Sequence, residues 1–242
     1  MKINLYNDEI GFVELVDSVG SDLTVVNSAR VSFGKQKEVL DQKDEKLIRY
    51  LIRHKHTSTL EHCFVTFRIK VPLYVRSQHH RHRTWSYNEI SRRYTDFNIE
   101  FYEPEKFRTQ HKSNRQASNT DEQINPFTKY HYFNLFNGEQ EGPSISTDAS
   151  HIIKCHHRQC LFLFNSLLEA GVCREQARGV LPQNMYTEYY ASANLGNILK
   201  FVDLRTHDGA QWEIQQLAKG VLEIVSSLYP VTIAAYSTGD IK

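Results

Sequence analysis

The chain has 242 residues, which is enough for one large domain or two small ones with a substantial hydrophobic core. Its 29 lysines and arginines nearly balance 28 aspartates and glutamates, so a net charge of +1 creates no global field for nucleic acid or an anionic membrane. No apolar run approaches the roughly 20 residues that a membrane helix requires. Any basic binding site must therefore be local, and we predict a protein without a membrane span.

The cysteines show no spacing typical of a disulfide framework, and residues 1–12 lack the apolar core of a signal peptide. Both features predict reduced thiols and a cytoplasmic location. Cys155, His156, His157 and Cys160 suggest zinc, but ligands at these offsets would not share one helical face, and no second pair follows at a usual distance. We therefore predict no metal site and assign these cysteines to the core.

The first 71 residues carry clear periodic patterns. Short apolar runs over residues 2–33 predict strands and a short helix. The apolar residues between Asp44 and His54 fall on one helical face, which predicts an amphipathic helix. Strict alternation over residues 64–71 predicts a strand with one buried face, and Pro72 suits the first turn of a helix that follows it.

Helical patterns return in the second half of the chain, with an aromatic strand among them. The predicted elements are a helix from His151 to Ala170 closed by Gly171, a short helix at Arg174, a stop at Pro182, a strand at Tyr186–Tyr190, a helix after Asn194, and a final helix from Ala210 to Leu228.

Residues 103–150 are rich in Asn, Gln, Ser and Thr and contain the turn signals Asn137-Gly138 and Gly142-Pro143. A group of aromatic residues interrupts this polarity. We predict a helical fragment within a variable insertion, which either covers a site or extends the surface.

The stretch from Gln78 to Tyr94 holds four arginines, three histidines, one glutamate and two serines, which is too polar for a core element. Guanidinium groups bind phosphate through two parallel hydrogen bonds, so an anionic ligand is the first expectation. A charged run is more often a solvated surface. The interspersed Trp85, Tyr87 and Ile90 instead favour a lined cleft.

Arg81, His82 and Arg83 are followed by seven residues and then Ser91. This run resembles the signature motif of flavin-dependent thymidylate synthases, an Arg-His-Arg triplet followed at about that distance by a serine. Further segments resemble the same family in order and separation: SARVSF at 28–33, HKHTSTLEH at 54–62, REQARGVLP at 174–182, TEYYASAN at 187–194 and AQWEIQQ at 210–216.

The resemblance implies an α+β fold, a single domain over 1–242 with an antiparallel β-sheet flanked by helices. It also implies an enzyme that methylates dUMP to dTMP with 5,10-methylenetetrahydrofolate as carbon donor and NADPH-reduced FAD as hydride source, releasing tetrahydrofolate. In such an enzyme the flavin carries the redox chemistry, while protein groups position the reactants and polarise the substrate. The family forms homotetramers with active sites at subunit interfaces, and the implied partners are dUMP, folate and NADPH, without nucleic acid.

The resemblance also implies roles for individual residues. The implied flavin contacts are Ser58, Arg81, His82, Arg83, Glu89, Asn194 and Gly196, with Lys200 added because it stands near the flavin. The implied dUMP contacts are Gln78, Arg81, Glu89, Ser91, Arg93, Arg178 and Arg205.

Two positions depart from the family pattern. Family members carry asparagine or histidine where Lys200 stands, so this lysine could instead meet a flavin phosphate or the folate tail. They carry histidine where Gly209 stands, and His207 could supply the missing imidazole.

Arg205 is the predicted catalytic residue, because a protonated guanidinium stabilises negative charge on the N3 and carbonyl oxygens of uracil while C5 becomes nucleophilic. The alternative is an ion pair with Asp203 or Asp208. Arg30 either forms a buried ion pair or lines the site, and we favour the ion pair.

Three other function classes are weighed against this interpretation. A folate-only synthase needs a cysteine nucleophile, and none of the cysteines lies in a matching motif. A non-catalytic nucleotide- or RNA-binding module would use the arginines with stacking aromatics, but the balanced charge and the lack of an RNP motif disfavour it. A metal hydrolase has no visible ligand set.

Overall fold

The computed structural model describes residues 1–133 and 140–237, so the turn predicted at Asn137-Gly138 lies outside the described residues. The strands are β1 (Lys2–Asn4), β2 (Phe12–Val19), β3 (Phe64–Pro72), β4 (Ser86–Glu89), β5 (Phe107–Gln110), β6 (Ser118–Ile124), β7 (Phe127–Phe133), β8 (Gln140–Asp148) and β9 (Tyr186–Asn194). The helices are α1 (Asp22–Arg30), α2 (Gln42–Arg53), α3 (Leu73–His79), α4 (Ala149–Glu169), α5 (Arg174–Ala177), α6 (Leu195–Thr206), α7 (Trp212–Leu228) and α8 (Pro230–Ser237).

The chain groups into two compact units. The first contains Met1–Val71, Val75–Glu89 and Thr187–Lys242, and the second contains Pro72–Tyr74 and Ile90–Tyr186. The first unit carries a five-stranded sheet in the order β1-β2-β3-β9-β4, in which β1 pairs antiparallel with β2, β2 with β3 and β4 with β9. The predicted α+β class with an antiparallel sheet and helices is confirmed, while a single domain over 1–242 stays a prediction.

Strand β3 lies in the middle of this sheet and follows the predicted alternation. Val65, Phe67, Ile69 and Val71 are almost completely buried, whereas the intervening Thr66 and Arg68 are partly exposed. Helix α2 is also confirmed, because Ile48, Leu51 and Ile52 are buried on one face.

Helix α7 packs closely on the sheet, and one glycine makes this approach possible. A Cβ atom at Gly220 would lie 2.7 Å from Cγ1 of Val13 on β2, which is closer than real Cβ contacts allow. The side chain of Val13 therefore packs directly against the backbone of α7 at Gly220, and the buried residues Leu217, Val221 and Ile224 of α7 surround this contact.

The second unit contains two strand pairs, β5 with β6 and β7 with β8, together with α4 and α5. The helical fragment predicted within residues 103–150 is wrong for the described residues 103–133 and 140–148, which contain four strands joined by turns and irregular segments. The aromatic and threonine side chains of β7 suit a strand. A register shift between Tyr130 and Tyr132 breaks the two-residue alternation, which hid the strand pattern from the sequence.

Helix α4 ends as predicted, at a glycine in the left-handed conformation. Gly171 has φ +88°, its N–H donates to the carbonyl of Leu168 at 3.0 Å, and the N–H of Val172 donates to Leu167 at 2.9 Å. This pair of bonds is the Schellman motif.

The predicted apolar face of α4 differs from the observed one. His157 and Phe164 are its buried residues, whereas Phe162 is 75 % exposed. Cys155 and Cys160 are half-buried, so their assignment to the core is wrong. Each lies 3.5 Å from the Nε2 atom of a histidine one turn earlier, at the polar surface of the helix.

The helix predicted up to Leu228 ends there, but α8 follows it and was missed. Pro230 is the first residue of α8, where a missing N–H costs nothing and the fixed φ is already helical. None of the helices in the described part of the chain is long and apolar enough to cross a membrane.

Asp22 of α1 caps α8 across more than two hundred residues of sequence. Its carboxylate accepts the N–H of Val231 at 3.0 Å and the N–H and hydroxyl of Thr232 at 2.8 and 2.6 Å, and Asp22 is buried. A buried N–H that loses its acceptor carries its full desolvation penalty. Asp22 therefore fixes the C-terminal helix to the N-terminal part of the first unit.

We expect Asp22→Ala to lower the free energy of unfolding by about 2–4 kcal/mol, because it leaves buried donors of α8 without acceptors. Chemical denaturation followed by circular dichroism measures this. Asp41→Ala is the matched control, since Asp41 caps the exposed start of α2 through Lys43 and Asp44. Equal effects of the two substitutions would contradict the role of Asp22.

Candidate functional site

The Arg-His-Arg triplet forms a tight turn between α3 and β4 in the first unit. The N–H of Arg81 donates to the carbonyl of Gln78 at 3.3 Å, and the N–H of His82 donates to the carbonyl of His79 at 3.0 Å. The hydroxyl of Tyr87 donates to the carbonyls of both His79 and His82, at 2.9 and 3.1 Å. The turn is thus held from below by β4, with Arg81 and Arg83 exposed.

Part of this polar stretch belongs to the core, contrary to the sequence-based expectation. His79 is fully buried, with its ring centroid 4.7 Å from Trp85 and 4.6 Å from Phe201. Its Nδ1 lies 2.9 Å from the hydroxyl of Tyr189. Burial, and then the neighbouring His82, lower the pKa of His79 well below its usual value. A neutral ring at position 79 therefore supports the turn from beneath.

Arg205 reaches this turn from α6 and makes two hydrogen bonds there. Its Nε donates to Nε2 of His82 at 3.1 Å, and its Nη2 donates to the backbone carbonyl of Gln78 at 3.2 Å. Burial lowers the pKa of Arg205 below its usual value.

Neither acceptor of Arg205 carries a negative charge. Among residues 1–133 and 140–237 no carboxylate pairs with Arg205, and Asp203 instead accepts a hydrogen bond from the hydroxyl of Tyr236. The alternative of an ion pair with Asp203 or Asp208 is therefore wrong for the described structure. The guanidinium is fixed in direction while its charge stays uncompensated.

The bond from Arg205 determines the tautomer of His82. A guanidinium has only donors, so Nε2 of His82 must be the acceptor and its proton must lie on Nδ1. Burial, together with the charge of Arg205, lowers the pKa of His82 to about 4. His82 is thus a neutral ring at physiological pH.

Glu89 lies on β4 and is bound by its own unit. Its Oε1 accepts from Nε of Arg76 at 3.0 Å and from the hydroxyl of Thr187 at 2.6 Å. The sequence did not single out Arg76 or Thr187, and only the pairing of β4 with β9 brings Thr187 to this carboxylate.

Ser58, Asn194 and Gly196 meet at a second place in the first unit. Ser58 lies in a 3-10 turn (Thr57–His62), and a Cβ atom at Gly196 would lie 3.7 Å from Leu60 and 4.0 Å from the carbonyl of Thr57. The side chain of Asn194 caps α6 by accepting the N–H of Asn197 at 2.9 Å. The helix N-terminus therefore begins directly beside the turn that carries Ser58.

Ser58 lines an open cavity of about 620 Å³, and Arg30, Ser32, Tyr50 and His56 line it as well. Arg30 forms the ion pair favoured for it, since it donates to the buried carboxylate of Asp44 at 2.5 Å, and whether this cavity is the site stays a prediction. Lys200, also predicted to contact the flavin, is exposed on α6 one turn beyond Gly196.

Ser91, Arg93 and Arg178 lie in the second unit and gather around one residue. Arg93 forms an ion pair with the carboxylate of Glu175 at 3.1 Å, and Nε of Arg178 donates to the Glu175 carbonyl at 3.3 Å. The hydroxyl of Ser91 accepts the N–H of Arg93 at 3.3 Å. Arg93 and Arg178 are thus linked through Glu175, to which sequence reasoning assigned no role, and Ser91 is bonded to Arg93.

Gln78 leads to two further residues that sequence reasoning missed. Its Nε2 donates to Oε1 of Gln211 at 2.5 Å, and Nε2 of Gln211 donates to Oε2 of Glu213 at 2.9 Å. Both lie in the AQWEIQQ segment, whose resemblance to the family was the available signal. No group of three or more potential metal ligands occurs among residues 1–133 and 140–237.

Comparisons with known proteins give consistent matches. The family described as thymidylate synthase complementing protein matches residues 14–231. A flavin-dependent thymidylate synthase of Thermus thermophilus is 41% identical over 226 residues, which cover 93% of this chain and 75% of that protein. A flavin-dependent thymidylate synthase of Kosmotoga olearia is 39% identical over 237 residues, which cover 96% of this chain and 94% of that protein.

A solved structure is also similar over most of its length. The UMP/dUMP methylase PolB from Streptomyces cacaoi, bound with 5-Br dUMP, has a TM-score of 0.76 and 31% identity, and the similarity covers 95% of this chain and 96% of that one.

The hydrogen bond between Arg205 and His82 leads to a prediction about protonation. Because the fold lowers the pKa of His82 to about 4, the unfolded chain binds a proton at this residue before the folded chain does. The contribution of His82 to stability is therefore lost as the pH falls from about 6.5 toward 4. We expect Arg205→Met to raise the His82 midpoint, though burial keeps it below 6.5.

Titration of protein labelled with ¹³C-histidine, observed by NMR, measures this midpoint. Lys200→Met is the control, because it removes a cation from the same helix without touching His82, and it should leave the midpoint unchanged. An unchanged midpoint in Arg205→Met would show that the two side chains are not coupled.

Proposed function

This chain belongs to the family of flavin-dependent thymidylate synthases, the thymidylate synthase complementing proteins, and on that premise we propose that it methylates dUMP to dTMP. The proposed carbon donor is 5,10-methylenetetrahydrofolate, and the proposed hydride source is FAD reduced by NADPH, with tetrahydrofolate released. The observation that carries the proposal is the guanidinium of Arg205, held by two neutral acceptors and not by a carboxylate.

The residues around the cavity fit a flavin nucleotide. Ser58 offers a hydroxyl, Tyr50 and His56 offer ring faces, and Arg30 offers a cation for a phosphate group. The start of α6 beside Ser58 adds the positive end of a helix dipole, which favours an anionic group. When bound, the flavin would supply the hydride, and these residues would hold and orient it.

Arg205 suits the activation of a pyrimidine ring. Carbon C5 of uracil becomes nucleophilic when negative charge develops on N3 and the carbonyl oxygens. Two of the five N–H groups of Arg205 fix its direction on His82 and Gln78, which leaves three for this charge. A charge already fixed in place reorganises little during the reaction, which is the usual source of electrostatic stabilisation.

The cluster around Glu175 suits the phosphate of a nucleotide. Arg93 and Arg178 supply guanidinium groups and Ser91 supplies a hydroxyl, which are the donors that phosphate takes. In this proposal the phosphate competes with the exposed carboxylate of Glu175 for Arg93.

We also propose that the protein is cytoplasmic and acts as a homotetramer. In such an assembly the exposed Phe162 and Leu163 of α4 would be available for contacts between subunits.

We expect Arg205→Ala to lower kcat by about 10²–10³-fold, because it removes a fixed donor to the developing charge. Arg205→Lys should recover little, since lysine cannot hold both His82 and the Gln78 carbonyl while facing the ring. Release of tritium from C5-labelled dUMP, with FAD, NADPH and methylenetetrahydrofolate, measures turnover. Arg158→Ala, at an exposed position of α4, is the control. Turnover without any flavin would contradict the proposal.

We expect Ser58→Ala to weaken FAD binding about two- to tenfold, the contribution of one hydrogen bond. Titration of the purified protein by the visible absorbance of the flavin measures the affinity. Ser113→Ala, an exposed hydroxyl of the second unit, should leave it unchanged. A colourless protein that does not bind FAD would instead favour a nucleotide-binding module without catalysis.

A further inference from the structure

Glu213 is a buried acidic side chain for which the proposed reaction has no use. It is 3 % exposed and lies in the first turn of α7. A negative charge is favoured at this end of a helix. The backbone carbonyl of Glu213 also accepts the hydroxyl of Tyr6 at 3.2 Å, which holds this turn of the helix against the core.

The carboxylate of Glu213 is the first member of a chain of hydrogen bonds that reaches Gln78. Oε2 of Glu213 accepts from Nε2 of Gln211 at 2.9 Å, and Oε1 of Gln211 accepts from Nε2 of Gln78 at 2.5 Å. All three residues belong to the first unit. The chain joins the start of α7 to the turn that carries the Arg-His-Arg triplet.

The direction of each bond follows from the chemistry of the first member. A carboxylate has only acceptor atoms, whereas a carboxamide has a donor end and an acceptor end. The donor end of Gln211 must therefore face Glu213, so that its acceptor end faces Gln78. The donor end of Gln78 then faces Gln211, and Oε1 of Gln78 is turned away as an acceptor.

The same residue carries the backbone carbonyl that receives Arg205. The acceptor atom Oε1 of Gln78 and the guanidinium of Arg205 therefore lie in the same small region of the first unit. A uracil ring presents a carbonyl oxygen and an N–H side by side, and these groups need a donor and an acceptor respectively. An amide that could rotate freely would present its NH₂ group to that N–H for part of the time.

We propose that Glu213, acting through Gln211, fixes the orientation of the Gln78 carboxamide so that its Oε1 accepts the N–H of a pyrimidine nucleotide. Glu213 and Gln211 are positioning residues in this scheme, because only Gln78 touches the ligand. The inference rests on the proposed function, in which dUMP is the nucleotide.

The test breaks the chain and then rebuilds it with the groups exchanged. In Glu213→Gln the first member can donate as well as accept, so the orientation of Gln211 is no longer fixed. The double variant Glu213→Gln/Gln211→Glu places a carboxylate in the middle, where it accepts from both neighbours and restores the direction at Gln78. The double variant carries the same two side chains as the wild type in exchanged positions. All three proteins have side chains of nearly equal size at positions 211 and 213, so they differ in the polarity of the chain and not in packing volume.

Calorimetry of dUMP binding to the FAD-loaded protein gives the readout, with thermal unfolding followed in parallel. We expect Glu213→Gln to raise the Kd for dUMP about tenfold. The exchanged double variant should bind within about threefold of the wild type. In a Gln78→Ala background, Glu213→Gln should have no further effect on binding. A general loss of packing would weaken binding in that background as well.

Gln211→Met serves if the Glu213 variants do not fold, because it breaks the chain at a half-buried position with a side chain of similar size. It should raise the Kd to a similar extent, and again not in the Gln78→Ala background. Wild-type affinity in both Glu213→Gln and Gln211→Met would overturn the inference, as would an equal loss when Gln78 is alanine. Wild-type protein that neither binds nor methylates dUMP would overturn the proposed function itself.

Discussion

The site in the first unit depends on one hydrogen bond, from Nε of Arg205 to Nε2 of His82. It requires a neutral imidazole, and the same burial that lowers the pKa of His82 to about 4 keeps the ring in that form. Two hydrogen bonds fix the direction of the guanidinium, and both of its acceptors are neutral, so no carboxylate neutralises its charge. A cation prepared in this way can act on a ligand in which negative charge appears only during reaction.

Other buried charges of the first unit are bound by several partners that serve the fold. Arg30 and Lys37 both donate to the buried carboxylate of Asp44. The carboxylate of Asp22 accepts hydrogen bonds from N–H groups of α8. Burial alone would raise the pKa of Asp44, but the bonds from Lys37 and Arg30 lower it. Arg205 differs from Arg30 and Lys37 because both of its acceptors are neutral, and it lies where the chemistry is proposed.

Aromatic rings supply the rigidity that a site with few ion pairs needs. His79 lies among Trp85, Phe201 and Tyr189, and Tyr87 binds two carbonyls of the turn with a single hydroxyl. These ring contacts and the Tyr87 hydroxyl hold the backbone of the triplet, while the side chains of Arg81 and Arg83 stay exposed to solvent. The polar surface and the aromatic core of this stretch are therefore two faces of one turn.

Local periodicity in the sequence predicted α2 and β3, because both carry unbroken patterns, and the turn at Asn194 indicated the start of α6. Resemblance of the motifs gave the family. The strands near Tyr130 escaped, since a register shift breaks the two-residue alternation, and α8 escaped because its cap, Asp22, lies at the other end of the chain.

Only the tertiary structure decided the partners of the site residues. It joined Arg205 to His82 across 123 positions of sequence and Gln78 to Gln211 across 133. A charge in sequence does not show whether its partner is a carboxylate or a neutral ring, and this choice separates an arginine that stabilises the fold from one that can stabilise a reacting ligand.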